Sequence, residues 1–104
     1  MSMKIWGGVE MKLWMDDVRE APDGWQLKST VVDALVRIIN LENWTPVTEL
    51  SLDHDMGAGN PNGYDLLYCM ARLHLTVPKI TVHSMNPEGA EQMRAFIERM
   101  ELQA

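Results

Sequence analysis

The sequence predicts a layered α/β domain on a parallel sheet. Short apolar runs alternate with stretches that carry helical periodicity. Strands that alternate with helices imply right-handed parallel crossovers. The runs MKLWM and KITV are apolar with little alternation, as in strands covered on both faces. The 104 residues make one domain and allow roughly two-thirds of the unfolded surface to be buried.

The elements follow in order. Residues 1–10, MSMKIWGGVE, read as an extension before a single domain over 11–104. MKLWM (11–15) is the first strand, followed by Asp16-Asp17 and a loop with the turn chemistry EAPDG. Trp25 to Lys28 is a brief strand. Thr30 is a helix N-cap, with Asp33 three residues on. Val32, Leu35, Val36 and Ile39 then recur at i, i+3, i+4, i+7 and define the expected apolar face of that helix. Val47 to Leu52 is a strand that ends in Asp53-His54-Asp55. After the loop MGAGNPNG, Tyr64 to Leu75 reads as a helix with Leu66, Met70 and Leu73 on one side. Lys79 to His83 is the last strand. Asn86 caps a final helix with Pro87 at its first position, and Met93, Phe96, Ile97 and Met100 line its inner face.

Composition removes several functions. Hydrophobic residues at 46% and charged residues at 23% exclude wholesale disorder. A formal net charge of -6 argues against holding duplex nucleic acid through many phosphates. No apolar run approaches the roughly 20 residues of a membrane span, and no secretory signal is visible, so cytoplasm is the default expectation. Cys69 has no partner for an internal disulfide. The glycines at 57, 59 and 63 match no phosphate-cradling pattern with a lysine.

The chemistry is concentrated at strand ends. In a parallel sheet the clear strands deliver Asp16-Asp17, Asp53-His54-Asp55 and His83-Ser84 to one edge, where open α/β sheets bind ligands. Carboxylates crowded about 4 Å apart repel by on the order of 4 kcal/mol at an effective dielectric near 20, which a bound cation relieves. Clustered oxygen ligands suit magnesium, with manganese as the second choice. Asp16, Asp17 and Asp53 are the expected metal ligands. His54 and His83 are candidate acid and base near neutral pH. Arg19 is placed to clamp a phosphate or to neutralise the acidic pair. Ser84 and Asn86 are placed to donate to a phosphate beside the amides of the final helix. Each residue also has a plainer use: one of Asp16 and Asp17 as a turn cap, Asp55 as a loop cap, Asn86 as an N-cap, a histidine bonded to backbone, Trp14 and Trp25 as core. The set at three strand ends, more than any member, points to a site.

The blocks LWMDDVREAPDGW (13–25), LSLDHDMG (50–57), GYD (63–65) and VHSMNPEGAEQM (82–93) resemble the cyclic-phosphate processing receiver domains. This is a small branch of the response-regulator receiver superfamily, common in phages and bacteria. The resemblance covers Met11 to Met93 in order. It implies a truncated receiver-like (flavodoxin-like) three-layer fold, with about four parallel strands in order 2-1-3-4. It also implies a protein that processes or binds cyclic phosphates of nucleotides or RNA ends. On that pattern Asp16 and Asp17 match the acidic pair, Asp53 the phospho-acceptor position and Ser84 the hydroxyl position. His54, Asp55, His83 and Asn86 match the family's HD and HSxNP motifs.

The departures matter equally. No fifth strand ended by a lysine follows the last helix, which argues against ordinary phosphorelay. The first receiver helix is reduced to the loop between Asp17 and Trp25, and Gln92 stands where asparagine is more usual.

The leading expectation is therefore a metal-assisted phosphoesterase. In it His54, His83 and Asp53 are catalytic, Arg19, Asp55, Ser84 and Asn86 bind substrate, and Asp16, Asp17 and Asp53 hold the metal. The alternatives are a non-catalytic cyclic-nucleotide sponge or sensor, and a receiver-like protein-interaction module. A small cyclic nucleotide or an RNA terminal phosphate is the expected partner, with no duplex nucleic acid and no membrane.

Overall fold

A computed structural model describes residues 11–39 and 46–103. The reading of residues 1–10 as an extension lies outside the described residues. The elements are β1 (Met11–Met15), β2 (Trp25–Lys28), α1 (Val31–Ile39), β3 (Val47–Leu52), α2 (Gly63–Arg72), β4 (Lys79–Val82) and α3 (Pro87–Gln103). The four strands form one sheet in order β2-β1-β3-β4, with every neighbour parallel. This is the receiver-like α/β fold.

Register sets the two faces of the sheet. Leu13 pairs with Leu50 and Leu50 with Ile80, while Met15 pairs with Leu52 and Leu52 with Val82. Side chains alternate along a strand, so these rows share one face. Leu13, Met15, Leu50 and Leu52 are fully buried there in one core, together with Val31 and Ala34 of α1, Leu66, Leu67 and Met70 of α2, and Met93 and Ile97 of α3. The row between them, Trp14, Ser51 and Thr81, points to the other face.

Among the described residues all three helices contribute to that single core, and α2 packs against both α1 and α3. Those helices pack on the Leu13, Met15, Leu50 and Leu52 face of the sheet, and the segment between β1 and β2 is the short loop that the sequence implied.

Two helix details also differ from the expected pattern. In α1, Val32, Val36 and Ile39 are exposed, and the inner stripe is Val31, Ala34, Leu35 and Ile38, with Arg37 also buried. VVDALVRII is apolar almost all round, so two stripes fit the same spacing and tertiary packing chooses between them. In α2 the helix stops at Arg72, and Leu73 is an exposed C-cap beyond the core. His74 takes a left-handed φ of 56° and turns the chain before Leu75.

The two predicted caps, Thr30 and Asn86, form, and α2 carries a third. The Thr30 hydroxyl accepts from the Asp33 amide at 3.1 Å. Asn62 and Asp65 make a reciprocal capping box on α2. Asn86 Oδ1 accepts from the Gly89 amide at 3.0 Å at the start of α3. No helix among the described residues is long and apolar enough to cross a membrane.

Candidate functional site

Parallel pairing carries the ends of β1, β3 and β4 to one edge. The ladder continues one residue beyond the strands: the Asp53 amide donates to Met15 O at 3.0 Å, and the His83 amide to Leu52 O at 2.9 Å. Those bonds fix Asp16, Asp53 and His83 side by side. Each of the three offers a ligand atom within 4.8 Å of the others, a group able to hold a metal ion.

Asp16 is 1% exposed. Its Oδ1 accepts from the Val18 and Arg19 amides, both at 2.9 Å. It is thus a turn cap and a member of the cluster at once, because its Oδ2 lies 3.1 Å from His83 Nε2. Burial pushes the Asp16 carboxyl up, but the Arg19 and Val18 amides and the bond to His83 outweigh it and hold the group below 3.8. Burial likewise pushes His83 below 6.5, against the pull of Asp16 and Asp53 and with help from Arg19.

Both directions favour an ionised Asp16 beside a neutral His83 imidazole. Its Nε2–H donates to Asp16, so Nδ1 is left as an acceptor. Ser51 Oγ lies 2.8 Å from that Nδ1 and donates to it. The ring also stacks on Trp14, with centroids 3.7 Å apart and planes 7° from parallel. Arg19 Nη1 donates to His83 O at 3.0 Å, bringing a guanidinium to the rim.

The other expected site residues lie around this cluster without joining it. Asp17 is exposed, beside Gly57 of the loop after β3. Ser84 Oγ accepts from the Asn86 amide at 3.0 Å, and the Asn86 side chain is the α3 cap. His54 Nδ1 is bonded to the exposed Asp55 carboxylate at 2.8 Å. The His54 ring packs on Gly89, where a Cβ would collide with it. It lines a separate cleft of about 450 Å³ with Asn62, Tyr64, Asp65, Gln92 and Arg99.

Two contributors are not evident from the sequence. Trp14 reads as core, yet it forms the floor under His83. Ser51 sits inside an apolar strand and carries no motif of its own. The available signal is the pleat: Trp14 and Ser51 each stand two residues before a strand-end aspartate, on the face opposite the core.

No curated protein and no solved structure matches the chain. The family model of the cyclic-phosphate processing receiver domain matches residues 11–99. With four parallel strands in the receiver order and the Asp16–Asp53–His83 cluster at their ends, the chain belongs to the cyclic-phosphate processing receiver domain family.

Proposed function

We propose that the domain binds a cyclic phosphate of a nucleotide or an RNA end at this cluster together with a divalent ion, and opens the ring by hydrolysis. The observation that carries the reading is the convergence of Asp16, Asp53 and His83 within 4.8 Å at the carboxyl ends of three parallel strands. Two carboxylates and an imidazole suit such an ion. The imidazole moves the preference from magnesium toward manganese or zinc, and Asp17, the third oxygen ligand expected from the sequence, lies outside the group. When bound, the ion would neutralise phosphate charge and lower the pKa of a water.

The chain's own groups supply the rest. Asp16, fixed by two amides, is a rigid ligand. Arg19, anchored on His83 O, has further N–H groups to hold a non-bridging oxygen. Asp53, half-buried at the end of β3, takes the proton of the attacking water. One ester P–O bond breaks as one forms to the water oxygen, and the proton that Asp53 took passes to the released alkoxide. His54, bonded to Asp55, lines with Tyr64, Gln92 and Arg99 the separate cleft where the remainder of a nucleotide would lie.

The test is incubation of purified protein with nucleoside 2′,3′-cyclic phosphates and manganese or magnesium. Ring-opened monophosphate is expected, and Asp53→Asn and His83→Ala should each abolish it. A second reading, capture without turnover, is favoured by one observation: both His83 nitrogens are engaged, leaving no second proton carrier in the cluster. Tight binding with intact ligand recovered would select it. Neither binding nor turnover would refute both.

A further inference from the structure

Ser51 is 3% exposed, lies on the non-core face of β3, and spends its hydroxyl on His83. Serine, histidine and aspartate here make a hydrogen-bonded chain, Ser51 Oγ to His83 Nδ1 at 2.8 Å and His83 Nε2 to Asp16 Oδ2 at 3.1 Å. Its burial and its bond to Nδ1 make the serine a partner of the ring and not a nucleophile. The hydroxyl has another property. It is both donor and acceptor, so it can bond Nδ1 whichever tautomer the ring adopts.

We infer that Ser51 is a positioning residue that holds the His83 ring in one plane while leaving Nε2 free to exchange its proton-mediated bond to Asp16 for a metal ion. Without metal, the Ser51 hydroxyl donates to Nδ1 and Nε2–H donates to Asp16. With metal on Nε2, the ring proton resides on Nδ1 and is donated to Ser51 Oγ. The ring stays neutral in both states, and its proton moves from one nitrogen to the other. The Trp14 indole, stacked at 3.7 Å, blocks tilting, and Ser51 blocks rotation about the ring normal. A hydrogen bond to the far nitrogen is the usual means of orienting a metal-bound histidine. The metal-bound half of this inference rests on His83 serving as a ligand, as proposed above.

The test uses the full chain, ¹⁵N-labelled on histidine, with Zn²⁺ alone as the probe. In the metal-free wild type, long-range ¹H–¹⁵N spectra should show His83 protonated on Nε2, with Nδ1 shifted by an accepted hydrogen bond. In Ser51→Ala that shift should be lost while far-UV circular dichroism is unchanged. Identical Nδ1 signals in the two proteins would overturn the inference.

Calorimetric titration with Zn²⁺ should then give an affinity about 10- to 100-fold weaker for Ser51→Ala than for wild type. The wild-type complex should show the Nδ1–H tautomer, and Ser51→Thr should recover most of the affinity. Equal affinity in wild type and Ser51→Ala would again overturn it. If neither protein binds Zn²⁺ but the metal-free spectra differ as expected, the metal reading of the site fails and the orienting bond stands. Should Ser51→Ala not fold, Ser51→Cys keeps the shape, weakens the bond, and is read in the same way.

Discussion

Asp16 and His83, separated by 67 positions in sequence, meet through Oδ2 and Nε2 at 3.1 Å, with the carboxylate buried and the ring nearly so. The contact joins the ends of β1 and β4 across β3, which lies between them. Replacing Asp16 by Asn keeps an acceptor for the Val18 and Arg19 amides but can turn an N–H toward the ring's own N–H. The expected cost is about 1–3 kcal/mol, the range for an unsatisfied buried donor. Urea denaturation checks it, and a loss under about 0.5 kcal/mol would show that Asp16 acts through its turn cap alone.

Stability should fall on acidification in two steps. His83 has its folded pKa depressed below 6.5, so between those two values the unfolded chain binds more protons and stability declines as pH drops. Asp16 is depressed below 3.8, and its contribution, present above that value, is lost as pH falls through the folded pKa. Thermal melts should be flat above about pH 7 and descend below it, and His83→Gln should remove the upper step. An upper step that persists in His83→Gln would assign it to another group.

A divalent ion should stabilise the fold. At 100 times its dissociation constant it contributes about 2.7 kcal/mol, a shift of several degrees in melting temperature for a domain this size. Asp53→Asn should abolish that shift. Because the substitution also removes one of two adjacent carboxylates, the metal-free variant should melt no lower than wild type. A large drop in its metal-free melting temperature would mean that Asp53 is structural.

Two glycines are required by close approach. A Cβ on Gly63 would collide with the Asp53 carbonyl and come within 2.7 Å of Met93 Sδ. One on Gly89 would drive into the His54 ring. Gly63→Ala and Gly89→Ala should each cost about 1–3 kcal/mol by overpacking. Gly89→Ala should also displace the His54 resonances, which a two-dimensional NMR spectrum reports.

Trp14→Phe retains a ring under His83 and removes an indole N–H that is buried with no acceptor among the described residues. It should be close to neutral in chemical denaturation. Trp14→Ala removes the stack and should cost about 3–5 kcal/mol, as for other large-to-small changes under cover.

The legible part of this protein was what periodicity and strand ends determine. MKLWM, VTELSL and KITV can bury apolar rows only as strands, and their parallel order follows from the intervening helices. That order alone brings Asp16, Asp53 and His83 to one edge. The inner face of α1 was not legible, because Val31 and Val32 both begin an apolar stripe in VVDALVRII and only packing against β1 and α2 separates them. The destination of His54 was also hidden, since it depends on a glycine 35 residues later in the chain being bare enough to accept the ring. Ser51 was invisible for a related reason: a hydroxyl in a strand gains meaning only from its cross-strand neighbours.

The parallel register has a consequence for how the pocket comes into being. His83 reaches Asp16 only after Leu52 and Val82 have paired, and that pairing closes a loop spanning α2. The cluster has no partial form made of neighbours in sequence, so it forms only as the long-range strand pairings form. Local opening of β4 would dismantle it while β1, β2 and α1 stayed folded. Ligand bound there would act as a clasp on the last strand, and hydrogen exchange in β4 should slow first when the pocket is filled.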